Sequence, residues 1–161
     1  MNRKTIFLDR DGVINEEKKD YVKNLKEFKI IDGSLQAIKL LKKNNFRVVI
    51  ITNQSAINRG LLSIEKLNEI HDFLKSKLLD LDTTLDGIYF CPHTPNENCM
   101  CRKPKPGLLQ QAISELDINV KDSLMIGDSQ TDIDAANKMG CKSILLNKNQ
   151  NLLQVVKELL F

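Results

Sequence analysis

The chain has no tryptophan, only two tyrosines and only two histidines among its 161 residues. A single-strand nucleic-acid binder needs aromatic side chains for base stacking and a basic track beside them. With so few aromatics and a net charge of +3, the chain points away from that class and suits a small anionic substrate better. The lysines are scattered over many segments, as on solvated faces, and form no stripe. No apolar run approaches the ~20 residues of a membrane-crossing helix. The apolar run behind the basic start is cut short by Asp9, too soon for a secretory leader. The expected location is the cytoplasm. There, four cysteines argue against disulfides and for a metal or a structural role.

What is present is an ordinary globular composition, 42% hydrophobic and 28% charged. A chain of this length reads as one domain, residues 1–161, able to bury roughly 68–70% of its unfolded surface. Five apolar, largely β-branched runs cover residues 5–9, 47–52, 87–91, 123–128 and 143–146. Near-continuous apolar runs predict parallel strands buried on both faces. Helical periodicities alternate with them: Leu35, Ile38 and Leu41, then Leu67, Ile70, Leu74, Leu78 and Leu81. A third helix follows Pro106, placed in its first turn, with Leu109, Ala112, Ile113 and Leu116 apolar. A fourth has Ile133, Ala136 and Met139 and stops at Gly140, and the last uses Leu153, Val156 and Leu160. This alternation predicts a Rossmann-like α/β sandwich of three layers around a central parallel sheet, with right-handed crossovers. Two irregular polar stretches, residues 16–28 and 92–106, leave the carboxyl ends of the first and third strands. Open α/β sheets place their ligands at that end.

The chemistry gathers at the same end. Asp9 and Asp11 follow the first apolar run and share side-chain parity on an extended strand. Two carboxylates in one small site repel, and a divalent cation relieves the repulsion. The second strand ends in Thr52-Asn53-Gln54-Ser55, whose hydroxyl and backbone N–H groups suit a phosphate oxygen. Cys91, His93, Cys99 and Cys101 form a C-x-H-x5-C-x-C set, four ligands for a closed, structural Zn2+ site. Arg102-Lys103-Pro104-Lys105-Pro106 reads as a rigid extended segment presenting cations to an anion. Gly127-Asp128 supplies a third carboxylate, while Ser129 and Asp132 have the spacing of a capping box. Cys141 reads as a small core residue and His71 as ordinary surface.

The ordered set Asp9-x-Asp11, Thr52, Lys103 and Gly127-Asp128 resembles the haloacid dehalogenase (HAD) superfamily of phosphatases. The finer features are FLDRDGVIN at 7–15, TNQS at 52–55 with Arg59-Gly60, the Cys/His loop, RKPKPG at 102–107 and GDSQTD at 127–132. They are similar to the heptose-bisphosphate phosphatases within the histidinol-phosphate phosphatase-like subgroup, and the likeness runs from about residue 5 to 146. It implies a cap-less HAD-like fold with a short zinc-binding loop. The implied reaction is Mg2+-dependent removal of the C7 phosphate from D-glycero-D-manno-heptose 1,7-bisphosphate, a step toward nucleotide-activated heptose and lipopolysaccharide.

By the same resemblance, Asp9 is the nucleophile and Asp11 the acid and base, with Thr52 and Lys103 neutralising phosphoryl charge. Mg2+ falls to Asp9, the backbone carbonyl of Asp11, and Asp128; structural Zn2+ falls to Cys91, His93, Cys99 and Cys101. Substrate contacts fall to Arg10, Lys18, Lys19, Asp20, Tyr21, Asn53, Gln54, Ser55, Arg59 and Arg102. The partner is a small phosphorylated sugar, with neither nucleic acid nor membrane, and the chain is expected to be a monomer. Histidinol phosphate is the alternative substrate, since its phosphatase shares the zinc loop and the RKP segment. The Asn53-Gln54-Ser55 loop with Arg59-Gly60 follows the heptose pattern. Ser129 stands where some relatives have lysine, which removes one handle for a distal phosphate.

Overall fold

Every second residue of the central strands faces the same apolar layer, and this alternation sorts the helices to two sides of one sheet. The computed structural model describes residues 3–161. Its strands are β1 (Thr5–Leu8), β2 (Arg47–Asn53), β3 (Gly87–Cys91), β4 (Ser123–Gly127) and β5 (Lys142–Leu145). Its helices are α1 (Ser34–Lys43), α2 (Ile64–Leu79), α3 (Gly107–Leu116), α4 (Gln130–Lys138) and α5 (Leu152–Leu160). All strand pairs are parallel, in the order β3-β2-β1-β4-β5. Ile6, Leu8, Val48, Ile50 and Ile126 pack with α1, α2 and α5, whereas Phe7, Val49, Ile51 and Met125 pack with α3 and α4. Three layers result, as the alternation of strand and helix patterns predicts.

Burial on both faces holds for β1 and for the interior of β2, but not for the sheet edges. β3 is half-buried up to Cys91, and β5 is exposed at both ends. An edge strand has a neighbour on one side only, so its outer flank stays wet. Helix ends follow local chemistry. Ser63 accepts from the Lys66 N–H at 3.1 Å to start α2, and reciprocal capping boxes open α4 (Ser129 with Asp132) and α5 (Asn151 with Gln154). Pro106 sits one place before α3 as its cap, not in the first turn, and Leu81 lies beyond the end of α2.

The strand order fixes where a ligand binds. The chain lays down β1, β2 and β3 in one direction, then crosses back to place β4 on the other flank of β1. The two loops leaving β1 and β4 therefore diverge, and the crevice between them is the switch point of an open α/β sheet. Asp9 and Asp128 are the residues immediately past those two strand ends.

Candidate active site

Asp9 continues the β1 ladder for one more bond, its N–H donating to the Ile126 carbonyl at 3.1 Å. The backbone then leaves the strand. The Arg10 carbonyl accepts from the N–H groups of Val13, Ile14 and Asn15, and Gly12 takes φ +86°. It is this turn, not strand parity, that brings Asp11 back beside Asp9. Gly12 is required twice over, because its backbone is left-handed and a Cβ there would collide with the Asp128 carboxylate.

Lys103 lies at the centre, 3% exposed. Its ammonium donates to Asp9 Oδ1 at 2.9 Å, to Asp132 Oδ1 at 2.5 Å and to the Ile51 carbonyl at 2.7 Å. Three donors with three acceptors is a complete complement for an ammonium. Asp132 keeps its capping role through Oδ2, which accepts from the Ser129 N–H at 3.2 Å. The Ser129-x-x-Asp132 spacing predicts the cap but not the ion pair with Lys103. Local spacing reports the cap, but nothing local reports a lysine 29 positions away. The Arg102–Pro106 segment is a run of turns, Lys105 N–H donating to the Arg102 carbonyl at 2.8 Å, rather than an extended arm.

Burial drives the electrostatics of the acidic cluster. The carboxyl of Asp9 is pushed well above its ordinary range by burial and by the charges of Asp132, Asp11 and Asp128, against the pull of Lys103. Asp128 is raised too, chiefly by burial. Lys103 is raised, because the charges of Asp9 and Asp132 outweigh its own desolvation. Asp11 moves the other way: burial opposes its ionisation, but the charge of Arg10 and hydrogen bonds from Asn15, Arg10 and Gln54 prevail, and it is lowered. Those donors lie at 2.9 Å (Arg10 and Asn15 on Oδ1) and 2.8 Å (Gln54 on Oδ2). Four carboxylates thus share two cations, Arg10 and Lys103, leaving two negative charges in excess. Oxygen atoms of Asp9, Asp128 and Asp132 lie within 4.8 Å of one another. An all-oxygen donor set with two uncompensated charges fits a hard divalent cation. Because both oxygens of Asp132 are engaged, the fit falls on Asp9 and Asp128.

A cleft of about 550 Å3 opens above this floor. Of the expected contacts, Asp9, Asp11, Lys18, Lys19, Tyr21, Asn53, Gln54, Ser55, Arg102, Lys103 and Asp128 line it. Glu17, Val22, Ser129, Thr131 and Asp132 line it as well; the first two belong to the polar loop after β1, whose inward face sequence periodicity does not mark. Arg10 does not line it. Its side chain is fully buried beneath Asp11, which corrects the expectation of a direct substrate contact. Asp20 and Arg59 also lie outside the wall. Asp20 is exposed and pairs with Lys18 and Lys23, and Arg59 stacks over the Tyr21 ring at 5.6 Å. Thr52 is fully buried, its hydroxyl accepting from the Gln54 amide at 3.0 Å, so it braces Gln54 from below. His71, expected at the surface, is buried on α2 against Arg10.

At the rim, Cys91 Sγ lies 3.1 Å from Cys101 Sγ, 3.3 Å from His93 Nδ1 and 3.6 Å from Cys99 Sγ. All four ligand atoms fall within 4.8 Å of one another. A tetrahedral ion with Zn–S bonds of ~2.3 Å needs ligand spacings of ~3.7 Å, and this donor set fits it. The Arg102 N–H donates to Cys99 Sγ at 3.3 Å, so the loop leads directly into the Arg102-Lys103 pair. Cys141 is 4% exposed in the α3–α4 core, as expected of a small core residue.

Among parallel α/β folds, an aspartate-bearing turn after β1 facing a lysine and a β4 aspartate across the switch point is the arrangement of the HAD-like hydrolases. A family model described as HAD-hydrolase-like matches residues 100–156. The D-glycero-beta-D-manno-heptose-1,7-bisphosphate 7-phosphatase of Helicobacter pylori is 42% identical over 144 residues, 89% of this chain and 83% of its own. The enzyme of that name from Haemophilus influenzae is 44% identical over 138 residues, 82% of this chain and 74% of its own. The D,D-heptose 1,7-bisphosphate phosphatase of B. bronchiseptica, solved with magnesium and phosphate, superimposes with a TM-score of 0.93 at 35% identity, covering 98% of both chains. The chain belongs to the D-glycero-β-D-manno-heptose-1,7-bisphosphate 7-phosphatase family, and is a phosphoric monoester hydrolase.

Proposed function

We propose that the protein removes the C7 phosphate of D-glycero-D-manno-heptose 1,7-bisphosphate, the β anomer named in its relatives, leaving heptose 1-phosphate. The observation that carries this reading is the buried constellation of Asp9, Asp11, Lys103 and Asp128 at the switch point, in a chain of that family. Asp9 attacks phosphorus as the bond to the C7 oxygen breaks, forming an aspartyl-phosphate; a hard step becomes two easier ones. Asp11 gives a proton to the leaving oxygen. It then takes one from the water that attacks the aspartyl-phosphate, releasing inorganic phosphate and restoring Asp9.

Both roles of Asp11 follow from its surroundings. Its donors favour the ionised base, and a dianionic phosphoryl group beside it raises its proton affinity while substrate is bound. Lys103 faces the attacking oxygen side and balances charge there, the main requirement of phosphoryl transfer. Arg102, Lys18, Lys19 and Ser55 line the cleft, which supports their gripping the substrate, with Tyr21 as a wall, while Asn53 supports the site by holding the Lys103 backbone at 3.1 and 3.0 Å. Mg2+ would be held by Asp9, Asp128 and the Asp11 carbonyl, and when bound it neutralises the excess charge of the site and of the phosphoryl oxygens. Zn2+ on Cys91, His93, Cys99 and Cys101 would be structural. Among the described residues no helix is long and apolar enough to cross a membrane; the reaction belongs in the cytoplasm, with the chain acting as a monomeric single domain.

The test is phosphate release with Mg2+ from the α and β anomers of heptose 1,7-bisphosphate and from histidinol phosphate at equal concentration. A kcat/KM at least tenfold higher for the β anomer is expected, and Asp9→Asn should lose ~10^4-fold or more in kcat. A preference for histidinol phosphate would overturn the substrate assignment, and an active Asp9→Asn protein would overturn the nucleophile.

A further inference from the structure

The cleft does not account for Arg10 and His71. Among the described residues Arg10 is the largest fully buried side chain, at 0% exposure. Its guanidinium makes three contacts from three parts of the chain. Nη2 donates to Asp11 Oδ1 at 2.9 Å, Nη1 meets His71 Nε2 at 3.1 Å, and the plane lies over the Phe28 ring at 5.5 Å. Phe28 is in turn fixed edge-on against Phe73 of α2, with ring centroids 6.3 Å apart.

A guanidinium has no lone pair to offer. The Arg10–His71 bond can therefore run in one direction only, with Arg10 donating and His71 Nε2 accepting. That makes His71 a neutral imidazole with its proton on Nδ1. Burial acts in the same sense, holding His71 at about 3. An apolar residue would fill this part of the core at less desolvation cost than a guanidinium. The geometry instead aims a fixed cation at one oxygen of Asp11. Asn15 reaches that same oxygen and Gln54 reaches the other, so the carboxylate is clamped at both ends.

We propose that Arg10 and His71 form a buried positioning pair: Arg10 holds the Asp11 carboxylate in its reactive orientation, and His71 acts on the reaction only by orienting Arg10. The inference rests on the assignment of Asp11 as acid and base. Losing the His71 acceptor frees one arm of the guanidinium and lets Asp11 swing, while Asp9, Lys103 and Arg102, which bind the phosphoryl group, are left in place. The loss should therefore fall on kcat and spare KM.

The experiment compares wild type, His71→Leu, His71→Gln and Asp11→Asn as full chains with Mg2+, on β-heptose 1,7-bisphosphate and on p-nitrophenyl phosphate. His71→Leu should lose tenfold or more in kcat on the sugar with KM within twofold. His71→Gln, which restores an acceptor, should recover to within threefold of wild type even where the two thermal midpoints are equal. Wild-type kcat in His71→Leu, or equal losses in both variants, overturns the positioning role while an inactive Asp11→Asn leaves the mechanism standing. An active Asp11→Asn protein overturns the mechanism itself. Should His71→Leu not fold, the imidazole 15N shifts of the wild type decide at neutral pH: an unprotonated Nε2 supports the pair, and a protonated Nε2 overturns it.

Discussion

His71 contributes to stability as well as to the orientation of Arg10, and in a direction that its position sets. Buried against a guanidinium, it is held at about 3 against an ordinary 6.5. The unfolded chain therefore binds a proton that the folded chain refuses throughout that interval. By linkage the contribution is complete above pH 6.5 and is lost as pH falls toward 3. Between pH 6.5 and 5 the loss is about 1.6 kcal/mol, since the unfolded imidazole is half protonated at pH 6.5 and the slope reaches ~1.36 kcal/mol per pH unit only below it. Urea unfolding at the two pH values should show wild type losing that much more than His71→Gln; equal losses would mean that His71 accepts a proton in the folded state. Lys103 has the opposite sense. Its two aspartate partners raise it, so it keeps its charge, and the site keeps its buried cation, across the neutral range.

At the level of elements, the loop between β3 and α3 has little apolar substance with which to hold itself. Among residues 92–106 only Lys103 is buried, and Met100 is 67% exposed. Its anchor is the Cys91, His93, Cys99 and Cys101 cluster, and Arg102 and Lys103 follow directly from it. Zinc binding energy at such a site is folding energy for the loop. Stripping zinc with a strong chelator should open residues 92–106 to limited proteolysis, lower the thermal midpoint by several degrees and reduce kcat, since Lys103 loses its fixed approach to Asp9. Metal analysis of the purified protein is the direct check: a zinc-free, fully active protein would dismiss the structural metal.

Across the whole molecule, the strand order assembles a surplus of negative charge at one place. Asp9 and Asp128 are both raised by burial above the ordinary 3.8. For a raised acid, the folded state holds the proton more tightly, so this contribution is present at low pH and is lost as pH rises from 3.8 through the folded value. A bound divalent cation reverses the penalty. At 100 times its Kd, Mg2+ should stabilise wild type by about 2.7 kcal/mol, or ~2–4 °C of thermal midpoint per kcal/mol. Asp128→Asn should be more stable than wild type without metal, and Mg2+ should hardly move it. An equal Mg2+ shift in both proteins would remove Asp128 from the metal site.

The sequence by itself determined the elements and the chemistry they present. Apolar runs separated by helical periodicities call for a parallel sheet covered by helices. Asp9, Asp11, Lys103, Asp128 and the Cys/His loop were legible because each is a local departure from those patterns. The substrate class came from the likeness of whole motifs. The tertiary structure decided which of these groups meet. The turn at Gly12, not strand alternation, returned Asp11 to Asp9, and Lys103 took Asp132 as a second partner across 29 residues. Arg10, which a sequence places beside the substrate, went under the floor to His71, 61 residues away. Periodicity records which face of an element is buried, but not what it is buried against. A buried charge finds its partner through the packing of distant elements, and that information is absent from any local window of the chain.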